Sequence, residues 1–168
     1  MNGIRLLFGR PIIRDKSEFV SALRKLQSQT GCTIQAIDAN NIVSERHLTF
    51  AAEKALRAFS EGRNIAKDLG VEILRYASGE RQIERALSIG LSDSTKRVAI
   101  LIIPGQSGLM PENSELSSII ETDSKGCSFK AEAVRNIFNI SEEELRAAGE
   151  TRIPDLVLER VALADTYR

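Results

Sequence analysis

The sequence is poor in the residues that most often build catalytic and metal centres. Its 168 residues include one histidine, two cysteines and no tryptophan. A single imidazole excludes a multi-histidine metal cage, and any histidine-assisted nucleophile would have to use His47 itself. Cys32 and Cys127 lack CxxC spacing and a nearby histidine, so we interpret both as reduced thiols. No metal ion or other cofactor is therefore expected.

The sequence also lacks catalytic motifs, a net charge and long hydrophobic runs. Phosphate-binding loops, dinucleotide-binding glycine motifs and the serine-hydrolase elbow are absent, so the sequence offers no recognisable catalytic machinery. Lys and Arg number 23, and Asp and Glu also number 23, so any site for a polyanion must be local. No segment approaches the ~18 apolar residues of a membrane span, and the N-terminal apolar run is too short for a signal peptide. We expect a cytoplasmic protein that does not contact membranes.

What is present predicts one domain over residues 1–168. Hydrophobic residues make up 42% of the chain and charged residues 27%, which is typical of a globular protein with one core. Runs of strand length near Ile4, Ile34, Ile73 and Ile100 alternate with segments of helical spacing. This pattern predicts the α+β class, with a mixed β-sheet of about four strands covered by several helices. It leaves open a doubly wound parallel sheet.

The segment from 71 to 90 predicts a strand, a tight turn and a helix. The turn falls at Ser78 and Gly79, where a helix start would offer unpaired backbone N–H groups to an anion. Arg81 and Arg85, four residues apart, would lie together on the outer face of that helix. One interpretation is a site for phosphate. The alternative is a simple cap, with the arginines neutralised by neighbouring glutamates in solvent.

Positive charge is also expected near a second helix start. Asn64 is predicted to cap a short helix in the segment IAKDLG. Arg63 and Lys67 would then lie near the positive end of the helix dipole, where a nearby anion would account for them. An indifferent surface charge is the alternative.

Two predicted helices carry apolar residues outside their main apolar faces. Phe50 falls on the charged face of a helix predicted from residue 45 to 61, and a partner protein, a nucleobase or the same chain could cover it. His47, on that helix, falls at the edge of the apolar stripe, which favours a packed histidine over a catalytic base. The last helix, starting near Pro154, is apolar nearly all round, and Leu158, Val161 and Ala162 extend its second apolar side. A shared interface is the more economical explanation for that side.

Several motifs occur together between residues 34 and 103. They are IQAIDAN, His47 with AAEKALRAF, EGRNIAKDLGVEILRYASGERQIERALSIG and RVAILII. In this order they resemble the small regulatory subunit of the KEOPS tRNA-modification complex, the family that includes the eukaryotic PRPK-binding protein, in its archaeal form. The specific feature is EGxNIA followed by ILxYASGxRQI. The C-terminal segment VLERVALAD is similar to archaeal members as well.

The resemblance implies a non-catalytic subunit. It would bind the N-lobe of the small atypical protein kinase/ATPase of the complex and regulate it, and it would bind the single-stranded 3′ CCA end of tRNA. The complex makes threonylcarbamoyladenosine (t6A) in tRNA. No DNA partner is implied. By position, the resemblance assigns the RNA end to Asn64, Ser78, Gly79, Arg81 and Gln82, with Arg63, Lys67 and Arg85 as supporting phosphate contacts.

The motifs do not locate the kinase-binding surface. We assign it, as a hypothesis, to the terminal helix through Leu158, Val161 and Ala162, with Phe50 as a separate contact. A second function class stays open at this point. It is a small-anion or nucleotide-binding domain that would use the Ser78–Gly79 turn, with His47 as the base if the domain is enzymatic.

Overall fold

The computed structural model of the protein describes residues 3–166 and contains four strands and eight α-helices in that range. The predicted α+β class is confirmed. In chain order the elements are β1 (Arg5–Pro11), α1 (Lys16–Thr30), β2 (Thr33–Asp38), α2 (Glu45–Ser60), α3 (Leu69–Ser78), α4 (Ile83–Ala86), β3 (Val98–Ile103), α5 (Asn113–Ser117), β4 (Ile120–Thr122), α6 (Ala131–Phe138), α7 (Glu142–Ala148) and α8 (Ile153–Leu163). No helix within this range is long and apolar enough to span a membrane.

The four strands form one sheet in the order β2-β3-β1-β4. Every neighbouring pair is antiparallel, so the expected mixed pairing is corrected and the parallel alternative does not apply. The strand predicted around Ile73 is wrong, because that segment is α3. The fourth strand is instead β4, three residues that pair with the end of β1.

The described chain divides into two compact units. One contains the residues up to Ala39 together with Leu91–Gly126, and the other contains Asn40–Gly90 together with the residues from Cys127 onwards. The first unit therefore holds the sheet with α1 and α5, and the second holds the remaining helices. That residues 1–168 form a single domain stays a prediction.

In the sheet unit, α1 packs on alternate residues of β2 and β3. Asp15 caps α1 by accepting a hydrogen bond from the Glu18 amide at 3.0 Å, and Gly31 ends the helix in the left-handed conformation. All six residues of β3 are buried, as expected for the most continuous apolar run of the sequence. The core on this side of the sheet consists mainly of Phe19, Leu23, Leu26, Ile34, Ala36, Val98, Ile100 and Ile102.

In the helical unit, α2 packs most extensively against α3 and also contacts α8. Ser44 caps α2 and accepts a hydrogen bond from the His47 amide at 3.1 Å. Small residues form a column on α2, and Ala51, Ala55 and Ala58 of this column are fully buried. Small side chains allow close helix packing, so the column places α3 near the backbone of α2.

Candidate functional site

The loop between α2 and α3, residues 61–68, is held in place by a buried carboxylate. Glu72 of α3 is fully buried. Its two carboxylate oxygens accept hydrogen bonds from the backbone amides of Ile65 at 3.3 Å and Ala66 at 2.8 Å. Because the carboxylate is charged and desolvated, these bonds are stronger than those between neutral groups. The conformation of the loop therefore depends on one residue of the following helix.

Asn64 lies in this loop and does not cap a helix, so that prediction is wrong. Its side-chain amide donates a hydrogen bond to the Ala66 carbonyl at 2.8 Å. The helix starts at Leu69 instead, and Asp68 caps it by accepting from the Val71 amide at 2.9 Å. Arg63 and Lys67 are exposed in the same loop. Lys67 directly precedes the cap Asp68, so it still lies near a helix start, that of α3, whereas Arg63 lies five residues before the cap.

Arg75 links the Glu72 carboxylate, which supports the loop, to the turn that follows α3. The guanidinium is 1% exposed, and it bonds the Glu72 carboxylate at 2.8 Å and the Glu80 carbonyl at 3.3 Å. Burial is the largest single effect and opposes the charge, but the hydrogen bond and the negative charge of Glu72, together with Tyr76, outweigh it and keep the pKa of Arg75 above its ordinary value. One nitrogen, Nε, is buried with no hydrogen-bond partner among the described residues. The Glu72–Arg75 pair thus fixes both segments that the resemblance assigns to RNA.

Ser78 and Gly79 form the end of a helix, which overturns the predicted helix start. Ser78 is the last residue of α3, and Gly79 follows it with φ 71°. The Ser78 hydroxyl donates to the Arg75 carbonyl at 3.0 Å, and the Glu80 amide also donates to that carbonyl. A Cβ atom at Gly79 would lie 3.2 Å from Cβ of Arg160 in α8. Glycine is therefore required here by conformation and by packing, and not by the approach of a ligand.

The partial charge of the backbone at the Ser78–Gly79 turn is opposite in sign to that expected from a helix start. The C-terminal end of a helix carries a partial negative charge and orphan carbonyl groups. A surface pocket of about 310 Å³ beside Ser78 and Gly79 is lined by Glu80, Glu144 and Glu159, with Arg160 as its basic side chain. Backbone amides of the Ser78–Gly79 turn cannot cradle a phosphate in the predicted way.

The cations beyond the turn remain on the surface. Arg81, Gln82 and Arg85 are exposed. They do not lie along one long helix, because α4 has only four residues and starts after Gln82. Leu87, an apolar residue of the same region, is 50% exposed. If this region contacts phosphate, guanidinium groups and not helix amides must provide the charge.

Asp165, just beyond α8, lies at the centre of a cluster of cations. It accepts a hydrogen bond from the buried Tyr76 hydroxyl at 2.6 Å. Its carboxylate also lies 3.6 Å from Arg75, 3.6 Å from Lys54 and 3.7 Å from Arg63. Burial alone would raise the pKa of Asp165, but the hydrogen bond from Tyr76 and the neighbouring cations hold it below its usual value. The end of α8 is thereby attached to α2, to α3 and to the loop.

Phe50 is half-buried and is brought close to the end of α8. The guanidinium of Arg46 lies 4.8 Å from the centre of its ring, and the Lys54 ammonium lies 5.7 Å from it. Lys54 also donates a hydrogen bond to the carbonyl of Ala162 at 3.3 Å. A surface pocket of about 260 Å³ here includes Phe50 and Arg63 in its lining. Two residues assigned to the kinase and one assigned to RNA therefore border the same region.

The structure divides the three α8 residues assigned to the kinase. Val161 is fully buried, so its assignment as a surface contact is wrong. Ala162 is exposed and Leu158 is half-buried. These two are four residues apart and share one face of α8. The buried stripe of the helix is instead Ile153, Val157, Val161 and Ala164.

His47 is a buried structural residue, as its position on α2 predicts. The Val43 amide donates to Nδ1 at 3.3 Å, so Nε2 carries the hydrogen and donates to the Ala77 carbonyl at 2.7 Å. The ring also meets Phe138 edge-on, with 5.6 Å between ring centres. Burial lowers the pKa of His47 from 6.5 to about 4. Both ring nitrogens are occupied by the backbone, which removes the proposed catalytic base, and no group of residues among 3–166 has the composition of a metal site.

Sequence reasoning missed the residues that organise this region. Glu72, Arg75 and Asp165 were not among the candidates, although they fix the loop, the turn and the end of α8. One signal was available, since a Glu and an Arg three residues apart can pair on one helix face. That spacing does not bring side chains together in a strand, which is the element that the sequence predicts for this segment.

Comparison with known families defines the class of protein. A family model described as a kinase binding protein matches residues 13–165, nearly the whole chain. The chain belongs to this family, kinase binding protein CGI-121. The family inferred from the sequence motifs is thereby confirmed, and with it a kinase partner. A comparison with curated proteins gives no match.

Proposed function

We propose that this protein is a non-catalytic subunit of the KEOPS complex that binds the N-lobe of its small atypical kinase/ATPase, regulates it, and binds the 3′ CCA end of tRNA. It would support t6A formation in the cytoplasm, in an archaeal form of the complex. Membership of a kinase-binding family over residues 13–165 is the observation that supports this proposal most strongly.

The RNA part of the proposal is supported by the Glu72–Arg75 pair. This pair holds the loop that contains Arg63, Asn64 and Lys67, and it also holds the turn that precedes Arg81 and Gln82. A single-stranded RNA end is bound by cations that contact phosphate and by polar side chains that reach base edges. The exposed Arg81, Gln82 and Arg85 supply both kinds of group without requiring a basic protein.

The RNA proposal is tested by comparing intact tRNA with tRNA trimmed of its CCA end. We expect trimming to weaken binding strongly, because the proposed footprint is confined to that end. Equal affinity for both, or no binding of either, would end the proposal.

A charge reversal tests the position of the RNA site. Arg81→Glu should weaken tRNA binding, lower its salt dependence by about one counterion, and leave kinase binding unchanged. Arg146→Glu is the matched control, since Arg146 is exposed on α7 and carries the same charge. If Arg81→Glu loses both partners, Arg81 has a structural role and the site lies elsewhere.

For the kinase, we propose the surface formed by Phe50, Leu158 and Ala162. Lys54 joins the Phe50 ring to the Ala162 carbonyl, so the two helices present one continuous region. Val161 is excluded from this surface because it is buried. Ala162→Glu should reduce co-purification with the kinase, whereas Ala147→Glu, the same change at an exposed position of α7, should not. Equal co-purification of both variants would move the interface elsewhere.

A further inference from the structure

A basic cleft lies in the sheet unit, beside the end of β1 and the loop before β3. Its volume is about 650 Å³, the largest of the four surface pockets described, and its lining includes Arg10, Ile12, Arg14, Lys96 and Glu121. A second pocket of about 210 Å³ shares Arg14 in its lining, but there Lys16 is accompanied by two carboxylates, Asp15 and Asp93. We name the larger pocket alone the basic cleft. None of its basic residues belongs to the candidate site described above.

Positive charge is in excess in the larger pocket. Arg10 pairs with Glu121 at 2.9 Å, but both side chains are largely exposed, with 70% and 66% of their surfaces accessible. Such a pair is screened by water and holds its charges weakly. Arg14 and Lys96 are exposed and form no salt bridge with any residue from 3 to 166. Three cations therefore face one carboxylate.

The backbone around the basic cleft is held in place by strand pairing and hydrogen bonds. Arg10 and Glu121 lie directly opposite each other in the β1–β4 ladder. Thr95, which precedes Lys96, donates a hydrogen bond to Asp38 at 2.8 Å and accepts one from the Ser92 amide at 2.9 Å. Cations carried on ordered backbone lose less freedom when they bind a ligand. The cleft is therefore better preorganised for an anion than a flexible basic tail would be.

We infer that the basic cleft binds the phosphate backbone of double-stranded RNA. Guanidinium and ammonium groups match phosphate oxygens, and these contacts position a nucleic acid without reading its bases. No aromatic side chain lines the larger pocket, so single-stranded bases would find no stacking platform there. This argues for a duplex over a single-stranded end. The inference rests on the proposed function, which makes RNA a partner of this chain, and adds a second contact to it.

The test uses an RNA hairpin with a base-paired stem and no single-stranded 3′ end, so the CCA end cannot contribute. The double variant Arg14→Glu/Lys96→Glu should bind this hairpin at least about tenfold more weakly at low salt, with a salt slope reduced by about 2. The matched control is Arg24→Glu/Lys25→Glu, which makes the same charge change at two exposed positions of α1. The control should change binding much less. Circular dichroism of both variants establishes that the fold is kept.

Three results would overturn the inference. They are no binding of the hairpin by the unaltered protein, an equal loss in both double variants, and displacement of the hairpin by a polyglutamate peptide at lower concentration than by unlabelled hairpin. The last would assign the basic cleft to an acidic protein segment.

Failure here is distinguishable from failure of the proposed function. If trimming the CCA end weakens tRNA binding while the cleft variant behaves like its control, only the cleft is wrong. If trimming has no effect while hairpin binding depends on the cleft, only the CCA proposal is wrong.

Discussion

His47 shows how one buried side chain makes the stability of this protein depend on pH. The neutral ring fits its surroundings because Nδ1 accepts a hydrogen from Val43 and Nε2 donates one to Ala77. Protonation would place a second hydrogen at Nδ1, directed at the Val43 N–H group. Burial also penalises the charged ring, and the pKa falls to about 4. In the unfolded chain the same ring has an ordinary pKa near 6.5.

The free energy of unfolding should therefore fall as the pH drops from 6.5 towards 4. In this window the unfolded chain binds a proton at His47 and the folded chain does not, so acid favours unfolding. The expected loss is about 2 kcal/mol between pH 7 and about pH 5, measured by urea unfolding. The most perturbed carboxylate, Asp123 with a pKa of about 2, titrates below this range. His47→Gln should remove the dependence, and an unchanged slope in that variant would assign it to other groups.

The role of His47 was predictable from sequence, but its partners were not. Its place at the edge of an apolar helix stripe indicates a packed histidine. Ala77 and Phe138 are distant in the chain, and only the fold brings them to the ring. Likewise, the helix caps at Asp15 and Ser44 and the capping box at Ser141 depend only on local sequence, because each side chain accepts a hydrogen bond from an amide three residues further along its own helix.

At the scale of elements, α3 is where sequence reasoning failed. Its apolar residues include Val71, Ile73 and Tyr76, which favour strands. A helix is normally recognised by a polar face, but from Glu72 to Ser78 every residue of α3 is buried. The charged residues Glu72 and Arg75 are inside as well, paired with each other. A helix buried on all sides loses the periodicity that distinguishes it from a strand.

The Glu72–Arg75 pair should show strong energetic coupling. Glu72→Gln leaves the buried guanidinium with only the more distant Asp165 carboxylate, 3.6 Å away, as counter-charge. The cost should therefore fall near the lower end of the range of about 3 to 5 kcal/mol for breaking a buried ion pair. Arg75→Met removes that charge, so the double variant should lose at least about 1 kcal/mol less than the sum of the single losses. Urea unfolding of the four proteins gives the coupling energy. Additive losses would mean that the two residues act independently.

Hydrogen exchange tests the local consequence of the same pair. The amides of Ile65 and Ala66 donate to the Glu72 carboxylate, so Glu72→Gln should accelerate their exchange more than that of other slowly exchanging loop amides. Unchanged exchange at these two amides would contradict the role assigned to Glu72 in fixing the loop.

Helix α8 shows why apolarity alone does not locate an interface. Both of its sides carry apolar residues, and the sequence could not indicate which side faces inward. The structure buries Val161 and exposes its neighbour Ala162. Neighbouring positions on a helix point about 100° apart, so one assignment was wrong and the other stays a prediction.

The same substitution at Val161 and at Ala162 should change the stability of the protein by very different amounts. Val161→Glu buries an uncompensated charge and should cost more than about 3 kcal/mol of unfolding free energy. Ala162→Glu places the same group in water and should change it by no more than about 0.5 kcal/mol. Thermal and urea unfolding measure both. Similar losses in the two variants would contradict the orientation of α8 described here.

At the scale of the whole molecule, the zero net charge hides strong local differences. Glutamates dominate the corner at Ser78 and Gly79, whereas Arg14 and Lys96 face the basic cleft. Composition could therefore exclude a global attraction to RNA but could not locate a local one. The family was recognisable because its motifs are local in sequence, whereas the sites depend on side chains brought together by folding.

The two compact units also raise the question of how the molecule unfolds. The chain passes between them three times, so each unit consists of two separate segments. If the helical unit alone unfolded, the two segments of the folded sheet unit would be joined by an open loop of about fifty residues. Closing that loop costs roughly 3 to 4 kcal/mol of entropy. We therefore expect both units to unfold in one cooperative transition, in agreement with the single domain predicted from the sequence.

Native-state hydrogen exchange, with one destabilising variant in each unit, can test whether the two units unfold together. Leu48→Ala removes a fully buried side chain from α2 and Leu23→Ala a buried one from α1, each at a cost of about 2 to 5 kcal/mol. Under single-domain behaviour, each variant lowers the protection of the slowest amides in β3 and in α3 by the same free energy, because both elements exchange through the same global opening. If Leu48→Ala affected α3 and left β3 unchanged, while Leu23→Ala did the opposite, the two units would be independent domains.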